Sequence, residues 1–374
     1  MNSPGVSDQE RAAQVALALV NGVGHSRRLA LLQACTTAYG ALSAPLEFLR
    51  AIPGISRACA TAIKTTSVTQ GERVLREVEE HGGRCLVPGD PEFPPILVDI
   101  PEPPAALFAL GRLELLERLA VAVVGSRNHS RYGADACRMV VGAAVDGGLC
   151  VVSGMARGLD AVAHLAALDR GGETIGVLGN GFGIIYPSAN RRLYERMRRE
   201  GLLLTEFPPG NRPTAGSFQR RNRLISGLAR VTVVVEAASG SGTLITVDAA
   251  LQQGRDVMVV PGAITSPTSV GTNRLVRDGA TPFLEAADLL AAFPELRPRR
   301  APAGGGEAVE GLPPALPLTR FERRVFQTLD RTPQHLDTLI EVVGVSAAEL
   351  LPALSSLELH GVARQEPGRR FLRA

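Results

Sequence analysis

The sequence predicts an α/β protein whose central domain is an extended Rossmann-like, doubly wound sheet. Six runs of apolar, mostly β-branched residues alternate with helical stretches between residues 84 and 293, and each run ends in a glycine, a proline or a small polar turn. This alternation is typical of parallel strands joined by crossover helices. The predicted strands are residues 119–125, 149–154, 174–179, 202–207, 231–237 and 256–262. Ligands of such sheets bind beyond the carboxyl ends of the strands, so the turns that follow these strands are predicted to share one site.

Residues 1–82 are predicted to form a helical domain of the helix-hairpin-helix or SAM-like type, ahead of a sheet domain at residues 83–293. Residues 21–35 and 52–66 each place a glycine turn directly before a helical stretch. Such a turn can offer backbone N–H groups to a DNA phosphate. It can equally serve only as a tight turn in a small bundle. Both interpretations are open at this point.

The C-terminal part of the chain is predicted to be a linker followed by a small domain. Residues 294–317 are rich in proline and glycine and lack hydrophobic periodicity, which is typical of a flexible linker. Residues 318–374 give three helices and two short strands, the order of a winged helix-turn-helix. The third helix contains no Arg or Lys and has Glu349 and Glu358. Because such a helix suits a DNA groove poorly, we expect this domain to dock a protein or act as a spacer.

Cysteine usage and apolar run length predict a soluble cytoplasmic protein without metal, cofactor or membrane partner. The five cysteines are odd in number and scattered, with no Cys-x-x-Cys pair, which argues against structural zinc and for a reducing compartment. The longest apolar runs fall far short of the roughly 20 residues that cross a bilayer. The first ten residues also lack the charged-then-apolar order of a signal peptide.

Positive charge is concentrated in one window of the sequence. The formal net charge is only +3, but residues 191–230 contain ten arginines and three acidic residues. The preference for arginine over lysine can reflect a compositional bias, because the chain has a single lysine, Lys64. Such a bias does not explain why the charge gathers in one window. We therefore predict a basic binding surface there.

The turns after the first three strands offer groups that suit an anion. The first of these turns joins a hydroxyl and a guanidinium ahead of a helix, yet it is not G-x-G-x-x-G, and no acid ends the second strand. This combination argues against a dinucleotide cofactor. Glycines at these turns are also explained by turn geometry alone. The candidate residues in these turns are Gly125, Ser126, Arg127, Ser153, Gly154, Arg157 and Asn180.

The turn after the fifth strand, Ser241-Gly242-Thr243, is predicted to bind phosphate without hydrolysing a nucleotide. A Walker A loop needs a Gly-Lys-Ser/Thr sequence, and this turn has no lysine. The segment before the strand is rich in arginine and contains Phe218. Binding of single-stranded nucleic acid requires positive charge beside an aromatic ring, because basic side chains contact the phosphate backbone and the ring stacks on a base.

Seven ordered blocks of the sequence resemble the DNA-processing protein A (DprA, or Smf) family of bacteria. They include VVGSRNHSRYG at 123–133, VVSGMARGLDAVAHLAAL at 151–168, TIGVLGNGFGIIYPSAN at 174–190 and the long block at 218–262. The resemblance implies a SAM-like domain, an extended Rossmann domain and a winged helix. It also implies a protein that binds single-stranded DNA during natural transformation, forms a homodimer and loads the RecA recombinase.

The resemblance also implies roles for particular residues. The Gly-Ser-Arg turn that grips DNA in the family falls on Gly125, Ser126 and Arg127. A basic residue that precedes the Phe-x-x-Arg-Asn block is best matched by Arg212, and Gln219 stands where the family commonly has proline. The block itself supplies Phe218, Arg221, Asn222 and Arg223.

An enzymatic alternative is a nucleoside-monophosphate phosphoribohydrolase, since these enzymes share the Rossmann superfamily. Their phosphate turn is followed by a catalytic glutamate. The residues that follow Gly242-Thr243 here are Leu244, Ile245 and Thr246, none of which has a carboxylate. Glycosidic cleavage then lacks the group that would stabilise its transition state or activate water. A sequence-specific transcription factor acting through the winged helix is disfavoured by the acidic third helix.

Overall fold

The computed structural model describes residues 6–296, 318–330 and 332–373. The chain divides into two compact units, one ending at residue 297 and the other beginning at residue 298. Most of the predicted linker, residues 297–317, lies outside the described residues. The first three residues of that predicted linker instead form a short 3-10 helix, Pro294–Leu296.

Residues 6–80 of the larger unit form six helices. Several begin at a hydroxyl N-cap: Ser7 accepts from the Glu10 amide, and Ser56 accepts from the Cys59 amide. Arg27 joins the two predicted glycine turns, because its guanidinium donates to the carbonyls of Gly22 and Gly54 at 2.6 and 2.9 Å. The helices are α1 Asp8–Ala18, α2 His25–Cys35, α3 Ala38–Ser43, α4 Leu46–Ala51, α5 Arg57–Lys64 and α6 Val68–Glu80.

A nine-stranded sheet follows, with strand order β1-β2-β6-β5-β4-β3-β7-β8-β9. All pairs from β6 to β9 are parallel, whereas β1 and β2 add an antiparallel edge. Strands β4, β5 and β6 follow one another on one side of β3, and β7, β8 and β9 follow one another on its other side. The strand order therefore reverses at β3. The strands are β1 Arg84–Leu86, β2 Leu107–Gly111, β3 Ala120–Val124, β4 Cys150–Gly154, β5 Thr174–Val177, β6 Leu202–Thr205, β7 Val231–Val234, β8 Asp256–Val259 and β9 Thr281–Pro282.

Helices cover both faces of the sheet, which gives the doubly wound arrangement. They are α7 Arg131–Asp146, α8 Leu159–Asp169, α9 Arg191–Glu200, α10 Ala215–Gly227, α11 Thr243–Gln252, α12 Val270–Arg277 and α13 Ala286–Ala291. Side chains of a strand alternate between faces. Val121 and Val123 of β3 therefore pack with α7 and α8, and Ala122 and Val124 pack with α10.

Two of the N-terminal helices, α1 and α6, share a hydrophobic core with the sheet. Val15, Val74 and Val78 are buried in one cluster with Phe108 of β2 and Leu203 of β6. The structure accordingly contains one compact unit up to residue 297, and the predicted boundary between residues 82 and 83 stays a prediction. Further 3-10 helices in this unit are Pro95–Leu97, Leu113–Glu117, Ser188–Asn190 and Pro267–Ser269.

The predicted doubly wound fold and all six predicted strands are confirmed; β4 ends at the predicted residue, and the other five strands end one to three residues earlier than expected. The prediction missed β1, β2 and β9. Strands β1 and β9 have only three and two residues, and such short segments have no readable alternation. Strand β2 has four buried residues in succession and pairs antiparallel, outside the predicted pattern.

The smaller unit has the three helices and the two final strands of the predicted winged helix, and it also has a two-residue strand before its second helix that the prediction missed. Helices α14 Arg320–Thr328, α15 Leu336–Val343 and α16 Ala347–Leu359 pack on a three-stranded antiparallel sheet. The sheet consists of β10 Gln334–His335, β11 Ala363–Glu366 and β12 Arg370–Arg373. Capping boxes at Thr319 and Ser346 fix the starts of α14 and α16. Among the described residues, no single helix has the length and apolar character to span a membrane, and only the bent pair α15–α16 meets those two criteria together.

Candidate nucleic-acid interface

Two pockets lie side by side at the carboxyl edge of the sheet, next to the strand-order reversal at β3. The central pocket, about 470 Å³, is lined by residues 124–128 after β3, residues 238–243 after β7 and one face of α10. The side pocket, about 330 Å³, is lined by residues 155–157, 178–180 and 186–189. Arg127, Phe218 and Arg221 line both pockets. The two pockets therefore form one continuous site, in the position where doubly wound sheets bind ligands.

The turn after β3 gives the central pocket a hydroxyl and a guanidinium. The Ser126 hydroxyl accepts a hydrogen bond from the Asn128 amide at 3.1 Å, and the Arg127 side chain is exposed. Gly125 packs so closely that a Cβ there would lie 2.4 Å from a methyl group of Leu159. The close packing, rather than an unusual φ angle, requires glycine at this position.

Glu236 fixes the far side of this turn although it lies outside the two pockets. It is 1 % exposed and accepts hydrogen bonds from the amide and hydroxyl of Ser130, the N-cap of α7, and from the Thr268 hydroxyl at 2.8 Å. Both carboxylate oxygens are therefore engaged in holding two loops together.

The turn after β7 presents the start of α11 to the central pocket. The Ser241 hydroxyl donates to the Thr243 hydroxyl at 3.0 Å and accepts from the Thr243 amide at 3.3 Å. Gly242 is the exposed N-cap residue and offers no side chain to cap the helix. A helix N-terminus of this kind favours a negatively charged ligand.

A buried pair of opposite charges, Arg221 and Asp160, forms the floor between the pockets. Arg221 is 4 % exposed; its guanidinium donates to the carbonyl of Val177 and, at 3.1 Å, to the side-chain oxygen of Asn222. Burial raises the pKa of Asp160 to about 6, and the nearby Arg221 charge partly opposes this rise. Burial also lowers the pKa of Arg221 to about 10. A Cβ on Gly154 would lie 2.5 Å from an Asp160 oxygen and 2.6 Å from the guanidinium, so glycine there makes room for the pair.

Two aromatic rings form the wall of the side pocket. The ring of half-buried Phe218 lies 5.5 Å from the ring of Tyr186 and 5.5 Å from the guanidinium of Arg127. Phe218 packs over Gly179, where a Cβ would approach the ring to 2.5 Å. Asn180 donates to the carbonyls of Gly181 and Ile184 at 3.0 and 2.8 Å, which shapes the loop behind the rings.

Ion pairing decides which arginines of the basic window are available to a ligand. Six of its ten arginines pair with acids, and Arg221 is buried. Within the part of the chain that the structure describes, five exposed arginines around this edge make no ion pair. They are Arg127, Arg157, Arg191, Arg192 and Arg212.

The sequence matches the family described as "DNA recombination-mediator protein A" over residues 84–294, and the "DprA winged helix domain" over residues 310–369. The chain belongs to the DNA recombination-mediator protein A family. It is 34 % identical to "Protein Smf" of Synechocystis over 333 residues, 80 % of this chain and 82 % of that protein. It is 39 % identical to "Protein Smf" of Escherichia coli, over 77 % of each chain.

Two solved structures of DNA processing protein A have the same fold. The X-ray structure from Streptococcus pneumoniae superposes with a TM-score of 0.67 at 31 % identity and covers 77 % of this chain and 98 % of that chain. The Helicobacter pylori protein, whose single-stranded DNA binding mode was described, gives a TM-score of 0.51 at 27 % identity. That match covers 56 % of this chain and 94 % of the other.

The structure brings most of the predicted site residues together. Those lining one or both pockets are Gly125, Ser126, Arg127, Arg157, Asn180, Phe218, Arg221, Asn222, Ser241, Gly242 and Thr243. Ser153 and Gly154 lie behind the pockets, where the buried Ser153 hydroxyl donates to the Val123 carbonyl at 2.6 Å.

Like Ser153 and Gly154, two further predicted residues are not part of either pocket lining. Arg223 points to another side of α10, where it pairs with the buried carboxylate of Glu206. Arg212 is exposed on the loop before α10. The sequence prediction also missed two residues of the site, Asp160 and Tyr186. An acid in the first turn of an otherwise apolar helix was the available signal for Asp160, and no pattern marked Tyr186.

The buried pair predicts a pH dependence that a single substitution should remove. Asp160 binds a proton more tightly in the folded chain than in the unfolded chain. Ionising this carboxyl should therefore reduce stability as the pH rises from about 4 to about 6. In Asp160→Asn this ionisation is absent. The free energy of unfolding of the wild type minus that of the variant should fall across this window, by at most about 1.4 kcal/mol per pH unit.

Urea denaturation of both proteins at several pH values measures this difference. Ser126→Ala, a substitution in the same pocket that removes no titrating group, serves as the control and should run parallel to the wild type. Parallel curves for Asp160→Asn would show that the carboxyl does not titrate in this window.

Proposed function

We propose that this protein binds single-stranded DNA in the cytoplasm through the two pockets and acts as a recombination mediator. The observation that supports this proposal most directly is the arrangement of Phe218 and Arg127. A half-buried aromatic ring and an exposed, ion-pair-free guanidinium stand 5.5 Å apart at the border of the two pockets. This juxtaposition suits a ligand that alternates phosphates with flat bases.

In this proposal the central pocket takes a phosphate and the side pocket takes a neighbouring base. Ser126, Ser241, Thr243 and the start of α11 supply neutral donors, and Arg127 supplies the charge. The rings of Phe218 and Tyr186 give stacking surface without a hydrogen-bonding pattern, so binding should be tolerant of base sequence.

We also propose that the protein is a binder rather than an enzyme. The alternative, cleavage of nucleoside monophosphates, needs a free carboxylate beside the phosphate turn. Residues 244–246 supply none, and both oxygens of the neighbouring Glu236 are occupied by structural hydrogen bonds.

Mediation of recombination implies a recombinase partner. Membership of the family and the resemblance of the sequence blocks support two further parts of the proposal. The protein forms a homodimer, and it loads RecA onto single-stranded DNA during natural transformation or repair.

Two substitutions should separate phosphate binding from base stacking. Arg127→Ala should weaken binding to every single strand and make the slope of log K against log salt shallower by about 0.7, as expected for one lost phosphate contact. Phe218→Ala should cost roughly 1–3 kcal/mol of binding with little change in the slope. Fluorescence anisotropy with labelled oligonucleotides at several salt concentrations measures both quantities.

Matched controls make this test specific. Arg131→Ala removes a nearby exposed arginine that pairs with Asp135, and Phe218→Leu keeps apolar packing without the aromatic face. Melting temperatures should show that each variant is folded. An Arg127→Ala protein with wild-type affinity and wild-type salt slope would refute the assignment of the site.

The binder proposal predicts no turnover of nucleotides. Incubation with a panel of nucleoside monophosphates, and separately with ATP and Mg²⁺, should release neither free base nor phosphate, because no carboxylate follows the phosphate turn at residues 244–246 and the turn has no Walker lysine. Chromatography of the reaction mixtures measures the products. Release of free base in excess of the protein concentration would contradict the proposal.

The mediator proposal predicts an effect on RecA. On DNA precoated with single-strand-binding protein, the full chain should accelerate RecA filament formation, and light scattering should give a dimer mass at micromolar concentration. Arg127→Ala is the matched control for filament formation. Because this variant should bind DNA weakly, it should no longer accelerate filament formation. A strict monomer, or acceleration that does not depend on Arg127, would count against this part of the proposal.

A further inference from the structure

Three exposed arginines lie at the side pocket and along the chain that follows it, at Arg157, Arg191 and Arg192. Arg157 lines the side pocket, and Arg191 and Arg192 are the first two residues of α9. None of the three makes an ion pair with another described residue. The pockets do not account for Arg191 and Arg192, and the following inference rests on the proposed function.

The loop between the side pocket and α9 is fixed against the turn that bears Arg157. The Asn190 side chain donates to the carbonyls of Met155 and Ala156 at 3.1 and 3.0 Å. Asn190 directly precedes Arg191, and Ala156 directly precedes Arg157. These hydrogen bonds therefore join the mouth of the side pocket to the start of α9. Arg157 lies on one side of the bonds and Arg191 on the other.

The charges along α9 are sorted by position. Its acids, Glu195 and Glu200, lie after the first turn and pair with Arg196, Arg198 and Arg199. The first turn contains no acid. Cations at the start of a helix face the positive end of the helix dipole, which disfavours them in the absence of an anion. Arg191 and Arg192 therefore do not help the helix to form, and their positions favour an anionic partner.

We propose that the single strand continues from the side pocket across Arg157 and places its next phosphates on Arg191 and Arg192. The ligand is the sugar-phosphate backbone of the strand already held in the pockets, because the segment that leads from the side pocket to Arg191 and Arg192, residues 186–192, contains no acid. Arg191 and Arg192 then contribute charge without contacting bases, and they act only when the strand is long enough to reach α9.

The double variant Arg191→Ala/Arg192→Ala tests this path with strands of two lengths, about 4 and about 20 nucleotides, which bracket known single-strand footprints. On the long strand, the slope of log K against log salt should become shallower by about 1.4, for two lost contacts at roughly 0.7 each. On the short strand, affinity and slope should equal those of the wild type.

Arg198→Ala/Arg199→Ala is the matched control, because it removes two exposed arginines of the same helix that pair with Glu195 and Glu200. This control should keep most of the wild-type salt slope on both strands. Circular dichroism melting checks that α9 is intact in both double variants.

Three results would overturn the proposed path. The first is a wild-type salt slope for the Arg191/Arg192 variant on the long strand. The second is an equal loss of affinity by this variant for the short strand. The third is a loss of affinity and slope in the control variant as large as in the test variant. Arg127→Ala, measured in parallel, distinguishes this failure from failure of the proposed function. If Arg127→Ala weakens binding of both strands while the double variant weakens binding of neither, the assignment of the pockets is supported and only the proposed path is refuted.

Discussion

The hydrogen bond from the buried Arg221 guanidinium to the Val177 carbonyl is the interaction on which the site depends. This bond joins α10 to the end of β5, and the buried Asp160 carboxylate in the first turn of α8 lies near enough for its charge to interact with the guanidinium. Ionised groups are costly to bury unless their charges and hydrogen-bonding groups are satisfied. The bond to Val177 meets part of this requirement and helps to fix the position of α10, and with it the positions of Phe218 and Asn222 relative to the turns after β3 and β7.

Ion pairing also determines which parts of a basic sequence act as a basic surface. Arg220 and Arg223 both neutralise Glu206, and the last turn of α9 neutralises itself with its own acids. Charge density along the sequence therefore overstates the field that a ligand meets. The arginines left over are not spread evenly: two of them border the side pocket, Arg127 and Arg157, and two more begin the next helix.

The fold and the position of the site could be predicted from the sequence because both depend on local patterns. Apolar runs define the parallel strands, and glycine-rich turns mark their carboxyl ends. The direction of individual side chains could not be predicted in the same way. Residues 221 and 223 differ by about 200° around α10, so one arginine enters the site while the other pairs with Glu206. Asp160 was missed for a related reason, since its importance comes from a partner 61 positions away in the chain.

The core shared by the N-terminal helices and the sheet has a consequence for how the chain is made. Synthesis proceeds from the N-terminus, and the apolar faces of α1 and α6 emerge well before the strand residues that bury them, Phe108 and Leu203. The first helices can form early, but Val15, Val74 and Val78 must wait for more than a hundred further residues until β6 has left the ribosome. The first part of this protein to be translated is thus among the last to complete its packing.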